Sequence, residues 1–281
     1  MQELPWHNLV GSFLLWLDDY VLRQGEAFSN ATMTLYPSNT RINGLYAYSA
    51  PYKQWVSNYA VTGANIPSGV FDGATFIPRG TSGLKVDFEN GRALFTSDVA
   101  STGFTVSGAI KDFNVQFSAE EPQVLLYDYK WFLNPKYPKL PISGLKENEL
   151  TYPALYVNFQ PKRNEPYAMG GMDNSIVNFR VLALTDTIFQ RVAIDQLFMD
   201  AARRYFPLFS SAELPYDVYG DFKSGLYNYL TLCGTKDSSD LVCIDEVNIS
   251  TLDNKINKSV GSSVYITVAD FKMGIPRYPR L

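Results

Sequence analysis

Leu84, Val86 and Phe88 alternate with Lys85 and Asp87, and the run ends at Asn90-Gly91. A period of two puts every second side chain on one face of a pleated strand, and Asn-Gly suits the left-handed turn of a two-residue hairpin. Ala93 to Thr96 returns after that turn, and Asp72-Gly73 is a second signal of the same kind. Phe113, Val115 and Phe117 alternate with Asn114 and Gln116, while Leu125, Tyr127, Tyr129 and Trp131 share one face of a strand over Val124–Phe132. From Thr32 to about Phe132 the chain therefore reads as β structure. Tyr46–Trp55, dense in aromatics with Pro51 in its middle, reads as an irregular loop.

Two segments follow a helical period instead. Leu9, Phe13, Trp16, Leu17, Tyr20 and Val21 recur at steps of three and four after Pro5, which predicts a helix over about 4–24 with Gly25 as its left-handed C-cap. Thr187 and Gln190 match a capping box, and Ile194, Leu197, Phe198, Ala201 and Tyr205 line one face of a second helix over about 187–206 that Pro207 stops. Strands are predicted at Ala154–Phe159, Ile176–Leu184, Leu226–Leu232, Leu241–Ile249 and Ser263–Phe271. The fold class expected is α+β, predominantly β, with antiparallel sheets and two amphipathic helices.

Pro135, Pro138, Pro141 and Gly144 mark a domain boundary. It divides an N-terminal helix plus β-rich domain (1–135) from an α+β domain (150–275), with an extended arm at 276–281. Gln160–Ser175 holds Pro161, Pro166 and Gly170-Gly171 and reads as a long loop, of the sort that usually carries function. Tyr167, Met169 and Met172 are apolar side chains on that loop, and Met adapts well to partner surfaces. With Pro276 and Tyr278 of the arm, they are the candidate partner-contacting residues.

Composition excludes several functions. Charged residues make up only 19% and hydrophobic ones 46%, against the low hydrophobicity and high charge of a disordered chain. Net charge is −4 and Lys and Arg form no cluster, so specific nucleic-acid recognition is not expected, although DNA can pass beside such a surface. The longest apolar-leaning stretch, Leu9–Leu17, is too short to span a membrane. Glu3 and Pro5 stand where a signal peptide has basic residues, so synthesis in the cytosol is expected. Asn30, Asn248 and Asn257 begin Asn-x-Ser/Thr triplets, which carry little weight without a secretion signal.

Catalytic chemistry has few carriers. The single histidine, His7, lies at a helix start, and one imidazole builds neither a histidine metal cluster nor a convincing triad. Cys233 and Cys243 lack zinc or redox spacing and read as reduced, packed thiols, able to face each other if their strands form a hairpin. No Gly-rich phosphate loop occurs. Asp18-Asp19 and Glu120-Glu121 read as solvated pairs. No catalytic, cofactor or metal residues are assigned, and a non-enzymatic interaction role is expected. The alternative is a carbohydrate-binding or depolymerising protein, since two carboxylates and aromatic platforms need no sequence motif.

The runs GLYAYSAPYKQW (44–55), GANIPSG (63–69), NEPYAMGGMD (164–173) and NFRVLAL (178–184) are similar to stretches of virion structural proteins of tailed bacteriophages. The resemblance covers roughly residues 40–210. It implies a neck or tail subunit, a head–tail connector or tail terminator, that forms a homo-oligomeric ring of six or twelve around a DNA channel. Like subunits and neighbouring virion proteins would be the partners, in a virion assembled in the host cytoplasm. The helix after Ile176–Leu184 is similar in order to a terminator core. The large β region before it departs from that compact form and leaves a baseplate or fibre-attachment role open.

Overall fold

A computed structural model describes residues 5–38, 41–99, 103–118, 152–168, 172–215, 226–251 and 265–277. Val124–Phe132, Glu120-Glu121 and the boundary at Pro135–Gly144 lie outside them. The described chain is α+β and mostly β, built from two sheets and three helices.

The first sheet contains β1 (Phe28–Pro37), β2 (Tyr46–Ser49), β3 (Gly69–Asp72), β4 (Thr75–Pro78), β5 (Lys85–Asp87), β6 (Arg92–Phe95) and β7 (Phe104–Lys111). Its order is β4-β3-β7-β1-β2-β6-β5, antiparallel throughout. The two edge strands β4 and β5 are consecutive in the chain, joined by residues 79–84, which include a 3-10 turn at Thr81–Gly83. A fully extended link of that length reaches about 25 Å, whereas a flat seven-stranded sheet is about 29 Å across. The sheet must therefore curl, and it does so around Met33, Leu35, Tyr48, Trp55, Val70, Leu84, Phe88, Phe95, Phe104 and Val106.

Both turn signals are used, with different loop residues. Asp72 pairs with Thr75, so the β3–β4 loop is Gly73-Ala74, and only Gly73 has positive φ. Asp87 pairs with Arg92, which makes the β5–β6 connection four residues with Gly91 left-handed at its end. Asn90 instead turns its side chain and its N–H to the Asp87 carboxylate. Tyr46–Ser49, expected in a loop, is strand β2.

The second sheet has the order β11-β12-β13-β10-β9-β8 and contains β8 (Asn114–Phe117), β9 (Ala154–Ala168), β10 (Met172–Thr185), β11 (Tyr205–Pro207), β12 (Leu241–Thr251) and β13 (Tyr265–Arg277). Only β8–β9 is parallel. Gln160–Ser175 differs from the loop its sequence predicts. It is not a loop: most of it forms the outer halves of β9 and β10, paired as a hairpin. Leu226–Leu232 is not the strand its sequence predicts. Its C-terminal part begins a short helix, α3 (Tyr229–Gly234), because Asn228 accepts the Thr231 N–H as an N-cap.

α1 (Pro5–Gln24) is buried on nearly every side, from Leu15 through Leu22. With Asp18 and Asp19 buried beside its apolar residues, α1 lies between the two sheets, apolar towards one and charged towards the other. Phe13 stacks on Phe179 of β10 at 4.1 Å and meets Phe206 and Phe271 edge-on. Five residues on, about 140° around the helix, Asp18 meets Lys111 of β7. Gly25 is not the left-handed residue expected. That conformation falls on Glu26 (φ 46°), while a Cβ on Gly25 would meet the Val21 carbonyl at 2.6 Å.

α2 (Ile188–Asp200) starts as its sequence indicates: Thr187 Oγ1 accepts the Gln190 N–H, and Gln190 Oε1 accepts the Asp186 N–H. It ends six residues earlier than expected. Ile194, Phe198 and Ala201 are buried, but Tyr205 belongs to β11 and is exposed.

Candidate interaction surface

At the end of the second sheet formed by residues 159–168, 172–176 and 275–277, three strands are paired among the described residues. β8 accompanies β9 only as far as Val157, and β12 accompanies β13 only from Gly274 inward. Among the described residues, β9 beyond Asn158 and β13 beyond Gly274 pair with β10 alone. The ten residues Phe159–Ala168 extend on the order of 30 Å. Trp6 packs on Phe159 at the base, and Pro161, Lys162, Arg163 and Asn164 are exposed beyond it. Among the described residues the projection is a polar three-stranded ribbon.

Three of the five candidate contact residues lie on this ribbon. Tyr167 lies near the end of β9 and Met172 opens β10, paired with Ala168. Pro276 lies on β13 opposite Asn174, whose other neighbour is Glu165 of β9. Pro276 is thus part of a paired strand, which corrects the free arm expected to begin there. Met169 and Tyr278 lie outside the described residues. Ser175 donates to the Asn164 side chain at 2.7 Å, and Arg163 pairs with Glu165.

The ribbon's outer edge resists strand addition. Pro161 and Pro166 lack an N–H, and Lys162 and Arg163 bring charge, the devices that keep edge strands from pairing with other chains.

The most polar cluster lies elsewhere, buried between α1 and the curled sheet. Lys111 Nζ and Tyr227 OH both donate to the Asp18 carboxylate. Arg23 binds Asp19 through both oxygens, and Asn58 Nδ2 donates to Asp19 at 2.8 Å. Asn58 Oδ1 in turn accepts the N–H groups of Ala60 and Tyr229. Asp18 and Asp19 are therefore buried, which corrects their reading as solvated. Burial pushes the Asp19 carboxyl above its usual range even against Arg23, and pushes the Tyr229 phenol and Cys233 thiol up as well. With its carboxylates satisfied by its own chain, the cluster is a clamp that joins α1 to β7, to Asn58 and to the start of α3.

His7 is exposed in the first turn of α1. Cys233 lies on α3 and Cys243 on β12; both are free thiols, and the strand hairpin that would face them does not form. Among the described residues no three His, Cys, Asp or Glu side chains converge to hold a metal ion, and no helix is long and apolar enough to cross a membrane. Asn30 uses both ends of its amide to hold the loop before β3, donating to the Gly63 carbonyl and accepting the Asn65 N–H. Asn257 lies outside the described residues.

What fold and surface define is a mostly β chain whose core buries about half of the aromatics among the described residues and whose surface carries a projecting ribbon. The chain matches no protein-family model, and no curated protein is significantly similar to it.

Proposed function

We propose that this chain is a non-enzymatic structural subunit of a phage virion, assembling with like copies into a homo-oligomeric ring at the neck or tail, as a head–tail connector or tail terminator. The virion role rests on the sequence resemblance. The observation that carries assembly is the ribbon, where two segments 100 residues apart in the chain come side by side beyond the core. A ribbon anchored to the core at its base by Phe159 and Ile275 and reaching beyond it suits contact with an adjacent copy, and head-to-tail contacts that close make rings. The test is a chain with residues 163–174 replaced by a two-residue turn, and a second chain ending after Ile275. Both should keep the wild-type circular dichroism spectrum and lose rings in negative-stain images. Assembly that survives both changes would refute the reading.

A second reading, carbohydrate binding, is favoured by one feature. Phe71 and Phe76 are partly exposed with centroids 4.9 Å apart, over a depression also lined by Asn65, Ser68 and Ser107. Retardation on a polysaccharide gel that Phe76→Ala abolishes would support it; equal mobility of the two proteins would exclude it.

A further inference from the structure

α2 is apolar on both sides. Ile194 and Phe198 face the core, while Phe189 is 83%, Met199 65%, Val192 55% and Ile188 47% exposed on the side turned away from it. A chain in water rarely leaves a row of large apolar side chains along one helix unless something covers it. Phe189, Val192, Gln196 and Met199 follow one another at steps of three, four and three. That spacing is the same read from either end. Two copies of the stripe laid antiparallel would set Phe189 against Met199 and Val192 against Gln196, twice over. These are the layers of an antiparallel helix pair.

The charges at the helix ends fit the same arrangement. Asp186 is exposed just before the N-cap Thr187, and Arg203 is exposed three residues past Asp200. Arg203 and Arg204 outnumber Asp200 at that end, so one end is net negative and the other net positive. In an antiparallel pair each Asp186 comes to the level of the other copy's Arg203. A parallel pair would set like charges together at both ends.

We propose that α2 docks antiparallel on α2 of a second copy of this chain, about a two-fold axis at the level of Ile194. The contact needs only two copies and does not depend on the virion role. It is isologous, so it is distinct from the head-to-tail contacts that close a ring. One helix against one helix falls below the area of standard stable interfaces, so the pair forms in the micromolar range or weaker.

Sedimentation equilibrium on the full chain, at concentrations raised through and above the micromolar range, tests this. The wild type should show a twofold step in mass, of the monomer or of any ring it forms, and Phe189→Asp should lose that step while keeping its circular dichroism and melting temperature. Asp186→Arg and Arg203→Asp should each weaken self-association at least tenfold, because each homodimer then opposes like charges twice. An equimolar mixture of those two variants should recover it, since every end pair is again of opposite sign. A wild type that stays monomeric, a Phe189→Asp chain that associates normally, or a mixture no better than its components would each overturn the proposal. Association that depends on the ribbon survives Phe189→Asp, so the two contacts are told apart.

Discussion

Lys111 Nζ lies 2.5 Å from Asp18 Oδ1, and the two side chains keep only 10% and 7% of their surface exposed. They belong to a strand of the curled sheet and to the helix between the sheets. An ion pair at such a seam adds little net stability but defines how the two layers meet, since a shifted helix would leave both charges buried and alone.

Removing one partner should therefore cost far more than removing both. Asp18→Ala is expected to destabilise the fold by about 3–5 kcal/mol, by stranding the Lys111 ammonium. Asp18→Leu combined with Lys111→Met should recover most of that loss. Urea denaturation of the three proteins checks this, and a single variant no less stable than the double would contradict the buried pair.

Phe13 is the aromatic on which the second sheet closes, touching Trp16, Phe179, Phe206 and Phe271. Phe13→Ala should cost about 3–5 kcal/mol, from lost burial and the cavity left behind. Phe189→Ala, on the exposed side of α2, should stay within about 0.5 kcal/mol. Thermal melts of the two variants should differ widely, and equal melts would place Phe13 outside the core.

Gly73 and Gly91 are both left-handed, but their surroundings differ. A Cβ on Gly73 meets nothing within 4 Å, whereas one on Gly91 would lie 2.3 Å from the Tyr52 carbonyl oxygen. Gly73→Ala should cost about 1 kcal/mol from backbone strain alone, and Gly91→Ala about 2–3 kcal/mol or more as the loop is pushed away. Reversal of that order in a denaturant series would show that the close approach is absent.

Glu213 accepts hydrogen bonds from Lys236 and from the Ser210 N–H and hydroxyl, and the Lys236 contact above all holds its carboxyl down at about 2. A depressed carboxylate stabilises the native state above its ordinary value of 4.5, and the contribution fades as pH falls from there towards 2. About a third of Glu213 is exposed, so solvent screening limits the gain to about 1 kcal/mol at most. Wild type and Glu213→Gln should differ in melting temperature at pH 7 and converge near pH 2. A gap that persists in acid would assign the effect to packing.

What the sequence by itself determines is the local structure. Leu9, Phe13, Leu17 and Tyr20 recur at helical spacing, Thr187 and Gln190 form a cap, and Leu84, Val86 and Phe88 alternate, all through contacts within a few residues. The outer halves of β9 and β10 escape this reading because they hold few apolar residues to alternate, and Pro161, Pro166 and the Gly170-Gly171 pair in the sequence between them imitate a loop. Leu226–Leu232 alternates like a strand, yet the Asn228 cap starts a helix within it. Asp18 and Asp19 read as solvated because adjacent carboxylates ordinarily are. Only the tertiary fold decides otherwise, by bringing Lys111, Asn58 and Tyr227 from distant segments to accompany Arg23 around them. It also places Tyr167, Met172 and Pro276 on one ribbon, since the order β9-β10-β13 is a matter of long-range pairing that no local pattern encodes.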